Sequence, residues 1–170
     1  MQPTVQKAIY PGSFDPFTLG HQDIAERAAR LFTSVVVAVV NNPKKQPWLP
    51  IETRLQLTRD SLAHLPNVTV VDFDGLTVEL AQAHQAGTLI RGLRALSDFE
   101  AECMMAQMNQ QLAPDIETLF LMASLEHQFL SSSAVKEVAC CNGDVSRWVP
   151  KPVAAYMKTH SPLRAKPTAL

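Results

Sequence analysis

Short apolar runs alternate along the chain with longer stretches in which apolar residues return every three or four positions. Lys7-Ala8-Ile9-Tyr10 reads as a strand, ended by Pro11-Gly12. Ile24, Ala25, Ala28 and Leu31 share one face of a helix over 21–31. Val35 to Val40 is apolar at every position, so both faces of that strand should be buried, as in a parallel sheet covered by helices. A helix over 51–65 presents Leu55, Thr58 and Leu62 inward, and a strand follows over 68–71. The same periodicities predict a helix over 76–86 with Gly87 as its C-cap and a strand over 88–90. A long helix over 97–112 takes Ser97 as N-cap, with Glu100 placed for a capping box. The last strand is 118–121. Helices over 131–141, stopped by Asn142-Gly143, and over 152–159 complete the chain.

Five strands separated by helices imply right-handed crossovers. The expected fold is α/β: one Rossmann-like, doubly wound sheet of five parallel strands with helices on both faces. A single domain should cover 1–160, and residues 161–170, with two prolines, read as a flexible tail. In such a sheet the ligand crevice lies beyond the carboxyl ends of the strands. The segments that matter are therefore 11–21, 41–47, 72–76, 91–98 and 122–133.

Composition narrows the chemistry. At 170 residues and 46% hydrophobic content the chain can bury one full core. Fifteen Lys+Arg against sixteen Asp+Glu give a net charge of −1, which disfavours a broadly basic nucleic-acid binder. No apolar run is long enough to span a bilayer, and Met1-Gln2-Pro3-Thr4 lacks the features of a secretory leader. Cys103, Cys140 and Cys141 form neither a disulfide framework nor a zinc-ligand spacing, so a reduced, cytoplasmic protein is expected. Cys140-Cys141 reads as small apolar helix filler, with a vicinal redox switch as the alternative.

The first strand-end loop, 10–21, offers Gly12 for close backbone approach and Ser13 for a hydroxyl. His21 stands where a helix start favours an anion. The loop is neither a dinucleotide fingerprint nor a Walker loop. Lys44 and Lys45 follow the second strand, as solvated surface charges or as phosphate ligands. Arg91-Gly92-Leu93-Arg94 follows the fourth, with arginine forks suited to phosphate or to surface ion pairs. Glu102 lies one helix turn after Asp98. Ser131-Ser132-Ser133 opens a helix, where one serine suffices as a cap and three offer several donors. Cations and donors gather at strand ends without an activated nucleophile or a carboxylate dyad. That set suits group transfer between two phosphorylated ligands, in which the protein positions and neutralises.

The run Tyr10-Pro-Gly-Ser-Phe-Asp-Pro-Phe-Thr-Leu-Gly-His21 resembles the signature of the nucleotidyltransferase superfamily. Leu89-Ile-Arg-Gly-Leu-Arg-Ala-Leu-Ser-Asp-Phe-Glu100 and Phe129-Leu-Ser-Ser-Ser-Ala-Val-Lys-Glu137 are more specific. They resemble bacterial phosphopantetheine adenylyltransferases, from about Lys7 to Tyr156. The resemblance implies synthesis of dephospho-coenzyme A and pyrophosphate from ATP and 4′-phosphopantetheine, the penultimate step of coenzyme A biosynthesis. It also implies Mg²⁺, a cytoplasmic homohexamer built as a dimer of trimers, and coenzyme A as feedback inhibitor. His21, Lys45 and Arg91 would be catalytic. Ser13, Phe14, His21, Gly92, Leu93, Arg94, Glu102, His127, Gln128, Phe129, Leu130, Ser131, Ser132 and Ser133 would contact ATP. Ser13, Lys45, Thr77 and Arg91 would contact phosphopantetheine. No acidic cluster demands a protein-held metal, so Mg²⁺ would be carried by phosphates and water. His127 stands where an aromatic residue is usual, Gln128 where a small polar one is common, and Thr77 where an apolar one is common. Sibling enzymes acting on nicotinate mononucleotide or glycerol phosphate are the nearest rivals; their serine segment is often followed by arginine, where this chain has Lys136. A non-catalytic nucleotide sensor using Cys140-Cys141 is the rival of another class.

Overall fold

The computed structural model describes residues 6–41, 46–94 and 96–160. Lys44, Lys45, the N-terminal Met1-Gln2-Pro3-Thr4 and the 161–170 tail therefore lie outside the described residues. Five strands, β1 (Lys7–Gly12), β2 (Ser34–Val40), β3 (Val68–Phe73), β4 (Thr88–Leu93) and β5 (Glu117–Met122), form one sheet in the order β3-β2-β1-β4-β5. Every neighbouring pair is parallel. The helices are α1 (Leu19–Leu31), α2 (Ile51–Leu62), α3 (Thr77–Ala83), α4 (Leu96–Leu112), α5 (Ser132–Cys140) and α6 (Lys151–His160).

The alternation of strand side chains divides the core in two. Ala8 and Tyr10 of β1, with Val35, Val37 and Val39 of β2, face the layer of α1, α2, α5 and α6. Ile9, Val36 and Ala38 face the other layer, beside Val78, Leu80 and Ala81 of α3. Val35 to Val39 are all buried, as a strand covered on both sides requires. Strand order reverses between β1 and β4, and that reversal opens a crevice at their carboxyl ends.

Several element ends differ from the sequence expectation. β4 runs through Arg91-Gly92-Leu93 because Arg91 pairs with Phe120 and Leu93 with Met122, so Arg91 stands on a strand and not in a loop. α1 starts two residues before His21, because Thr18 caps it. α2 ends at Leu62, three residues early. α3 ends at Ala83, and Gln85, at φ 54°, makes the left-handed turn expected of Gly87. The Ala86 N–H then closes back on the Ala81 carbonyl at 2.8 Å. α4 begins by Leu96, which places Ser97 inside its first turn and not at the cap. α5 does stop at Asn142-Gly143: Asn142 takes φ 60° and the Gly143 N–H reaches the Val138 carbonyl. Cys140 ends α5, Cys141 follows it, and both thiols are free.

Candidate active site

The crevice at the β1/β4 switch point is a cleft of about 320 Å³. Its walls come from the loop after β1, the start of α1, the segments around Asn41 and Gln46, the end of β4, α4 through Glu102, and the start of α5.

His21 enters from α1. Thr18 is the N-cap, its hydroxyl accepting the His21 N–H at 3.4 Å, and the Thr18 N–H donates to His21 Nδ1 at 3.1 Å. This is a capping box with histidine in the place usually held by glutamate. An Nδ1 that accepts is unprotonated, so the neutral ring carries its hydrogen on Nε2. The ring packs edge-on against Phe14, centroids 5.1 Å apart, and beside Phe17. Burial, helped by the Arg94 charge, pushes the imidazole pKa down to about 3. His21 is thus a neutral hydrogen-bond donor at any ordinary pH.

Phe14 adopts φ 45°, in the left-handed region that non-glycine residues seldom enter. Gly12 accommodates its ring: a Cβ at Gly12 would lie 2.6 Å from it. Gly12→Ala is expected to displace Phe14, and with it the face supporting His21. The expected loss is on the order of 1–3 kcal/mol of stability, with turnover falling as well. A thermal melt of Gly12→Ala matching the wild type would contradict this.

Arg91 donates from Nε and Nη2 to the two oxygens of Glu102 at 2.6 and 2.7 Å, and from Nη1 to the Pro11 carbonyl at 3.2 Å. Burial alone would lower the guanidinium pKa, but the Glu102 hydrogen bond and charge outweigh it and raise it. Arg94 reaches the Leu130 carbonyl at 3.3 Å. Of the three serines, Ser131 caps α5 by accepting the Ala134 N–H, and Ser132 donates to the Pro16 carbonyl at 2.9 Å. Ser133 is exposed.

The cleft brings together Ser13, Phe14, His21, Arg91, Gly92, Arg94, Glu102, Leu130 and Ser131 to Ser133. The remaining expected residues stand elsewhere. Leu93 is buried at the end of β4. Thr77 opens α3, is half-buried and does not line the cleft wall itself. His127 packs near Gly20, Gln128 is half-buried beside it, and Phe129 borders a separate apolar pocket with Val138 and Trp148.

Three charged residues of the cleft escaped the sequence reading of the site. Asp15 is buried and accepts the Trp48 and Leu49 N–H groups, both at 2.9 Å, and the Lys136 ammonium at 3.1 Å. Arg54 of α2, 2% exposed, donates to the carbonyls of Leu49, Ser13 and Val40. Among the described residues no group of three or more His, Cys, Asp or Glu could hold a metal ion. The two carboxylates of the cleft wall, Asp15 and Glu102, are each occupied by a cation. Among the described residues there is thus no side-chain cage for a divalent ion. No helix is long and apolar enough to cross a membrane among those residues.

Residues 9–138 match the model of the Cytidylyltransferase-like family. A phosphopantetheine adenylyltransferase of Synechococcus elongatus is 57% identical over 150 residues, spanning 88% of this chain and 90% of that protein. Its counterpart in Gloeobacter violaceus is 56% identical over 152 residues, spanning 89% and 94%. Among solved structures, a protein described as a nicotinate-nucleotide adenylyltransferase from Vibrio parahaemolyticus superposes with a TM-score of 0.67. It covers 92% of this chain and 93% of its own at 15% identity, a likeness of fold alone. A switch-point cleft lined by donors, on this fold and at this level of identity, places the chain in the phosphopantetheine adenylyltransferase family of Cytidylyltransferase-like proteins.

Proposed function

We propose that the cleft transfers the adenylyl group of ATP to 4′-phosphopantetheine, giving dephospho-coenzyme A and pyrophosphate. The observation that carries this reading is the identity of 57% across 90% of a phosphopantetheine adenylyltransferase. The chemistry of the cleft agrees with it. A phosphate oxygen of phosphopantetheine attacks the α-phosphorus in line, the bond to the β-phosphate oxygen breaks, and pyrophosphate leaves. The attacking phosphate is already an anion near neutral pH, so the protein needs no general base and no covalent intermediate. Its task is to bring two polyanions together and neutralise the charge that develops.

In this reading His21 donates from Nε2 to the reacting phosphates. Ser13 touches both substrates. Arg91 and Lys45, with Thr77 at the pantetheine arm, hold the acceptor. Phe14, the Gly92-Leu93-Arg94 run, Glu102 and residues 127–133 hold ATP, where the positive end of α5 faces the phosphate chain. Mg²⁺, when bound, would be carried by ATP phosphates and water and would neutralise charge on the leaving pyrophosphate. Coenzyme A, which is the product with one further phosphate, competes for the same cleft.

A homohexamer is the proposed assembly. Met104, Met105, Met108 and Leu112 along α4, with Leu119 and Met122 of β5, leave an apolar face exposed that other copies would cover.

Pyrophosphate release from Mg²⁺·ATP, measured with phosphopantetheine, nicotinate mononucleotide and glycerol 3-phosphate in parallel, tests the reaction. Release with phosphopantetheine alone is expected. Release with another acceptor would keep the chemistry and discard the substrate, and ATP binding without turnover would favour a nucleotide sensor.

A further inference from the structure

Arg54 is the largest fully buried side chain among the described residues. It sits on the inward face of α2, one turn before Thr58, and lines the β1/β2 side of the cleft. Its Nη1 donates to the Ser13 carbonyl at 2.8 Å and to the Val40 carbonyl at 3.2 Å, and its Nε donates to the Leu49 carbonyl at 3.1 Å. One guanidinium thus joins the loop after β1, the end of β2 and the segment leading into α2. It holds the chain on both sides of residues 42–45, at Val40 and at Leu49.

These ties leave something over. Nη2 has no hydrogen-bond partner, the one buried side-chain polar atom in that condition among the described residues. Among those residues no carboxylate pairs with Arg54 either. Asp15, the nearby acid, is taken by Lys136 and by two backbone N–H groups. Glu52, two residues back on α2, acts on Arg54 only through its field, without an ion pair, and it does not line the cleft. Burial opposes the Arg54 charge and lowers the guanidinium pKa. A buried cation with an unspent donor is costly for a fold alone, and three carbonyl ties do not require the extra charge. An anion in the cleft would compensate it.

We propose that Arg54 is a positioning residue for adenylyl transfer: it fixes Ser13 at the end of β1, and its charge, in direct contact with no carboxylate among the described residues, draws the acceptor phosphate to the β1/β2 side. This rests on the reading of the cleft as a phosphopantetheine adenylyltransferase. It adds a residue that touches the reaction through Ser13 and through its field. The planar fork matters, because a lysine ammonium cannot serve three carbonyls in fixed directions.

The test uses the intact protein and two variants, Arg54→Met and Arg54→Lys. Methionine fills much of the same volume without charge or donors, but it leaves the Leu49, Ser13 and Val40 carbonyls without their donor. Arg54→Met is expected to fold with a lowered melting temperature, so its kinetics are measured well below that temperature. Its KM for phosphopantetheine should rise and its kcat fall, for a loss of about a hundredfold in kcat/KM. The KM for ATP should move by no more than about threefold, because Arg94 and the α5 start are untouched. Arg54→Lys keeps the charge without the fork. It should recover KM for phosphopantetheine more fully than kcat, and it keeps the question decidable if methionine does not fold. Calorimetry with inorganic phosphate, which needs no turnover, should show weaker binding to Arg54→Met than to wild type. A folded Arg54→Met with wild-type kcat/KM would overturn the proposal, as would equal rises in both KM values or unchanged phosphate binding. Wild-type protein inert toward phosphopantetheine would instead remove the substrate reading, and the phosphate titration would still test the charge.

Discussion

Replacing His21 by alanine is expected to lower kcat by about 10²–10³ while the protein stays folded. The Thr18 N–H on Nδ1 leaves Nε2 as the protonated nitrogen, and the Phe14 and Phe17 rings hold the imidazole in place. A donor set before the reaction costs no reorganisation when charge develops, and losing it removes transition-state stabilisation at little cost in ground-state binding. KM for either substrate should therefore change much less than kcat. The fold survives because α1 keeps Thr18 as cap and loses only one half of the box, a change worth about 1 kcal/mol. Circular dichroism and a melt would establish folding, and steady-state turnover the effect. Near-normal turnover in a folded His21→Ala protein would remove His21 from the chemistry.

The same geometry fixes the pH behaviour. With its pKa held at about 3, His21 does not titrate in the range where histidine ordinarily does. Between pH 5 and 8 kcat should show no limb owed to His21. An acid limb near pH 6.5 that disappears in His21→Ala would mean the imidazolium is the working form. Stability runs the other way from a histidine that gains an acid partner. Below about pH 6.5 the unfolded chain takes up a proton at this residue and the folded one does not. The contribution is thus complete above that pH and is lost as pH falls from there toward the folded value. His21→Ala should flatten the acid side of the stability curve.

The sheet and its crevice were legible because their signals are local. An unbroken run from Val35 to Val40 can only be a strand buried on both faces, and the polar residues after each strand mark the ligand side. Gly12, Ser13 and His21 follow from the loop after the first strand in the same way. Arg91 was found as a residue but not as strand, since Arg-Gly looks like a break until Phe120 pairs with it. Arg54 and Asp15 were missed for a different reason. Leu55, Thr58 and Leu62 define a helix face that is drawn wide enough for Leu57 and Ser61 only when packing is known, and a charged residue at its edge reads as solvated. Arg54 does stand four before Thr58, and that spacing was the available clue. Asp15 lies inside the quoted signature, but the N–H groups it satisfies belong to Trp48 and Leu49, over thirty residues away. Contacts of that separation leave no trace in periodicity.

Arg91→Ala should raise the KM for phosphopantetheine by about tenfold to a hundredfold, the worth of one charged hydrogen bond. The KM for ATP should change far less. Arg91 already spends Nε and Nη2 on Glu102, so the acceptor phosphate must share the guanidinium with a carboxylate. Without Arg91, Glu102 becomes an unpaired anion beside the phosphate, and part of the loss is repulsion rather than a missing contact. Adding Glu102→Ala to Arg91→Ala should therefore recover some phosphopantetheine affinity, although Glu102→Ala alone should weaken ATP. The two substitutions should be non-additive in kcat/KM for the acceptor, as residues in direct contact generally are. Arg91→Lys should not restore the wild-type KM, because an ammonium cannot serve carboxylate and phosphate as a fork does. Strictly additive losses would show that Glu102 does not shape the acceptor site through Arg91. Equal losses for the two substrates would take Arg91 away from the acceptor altogether, and the phosphate would then have to be held from the β1/β2 side, where Arg54 lies.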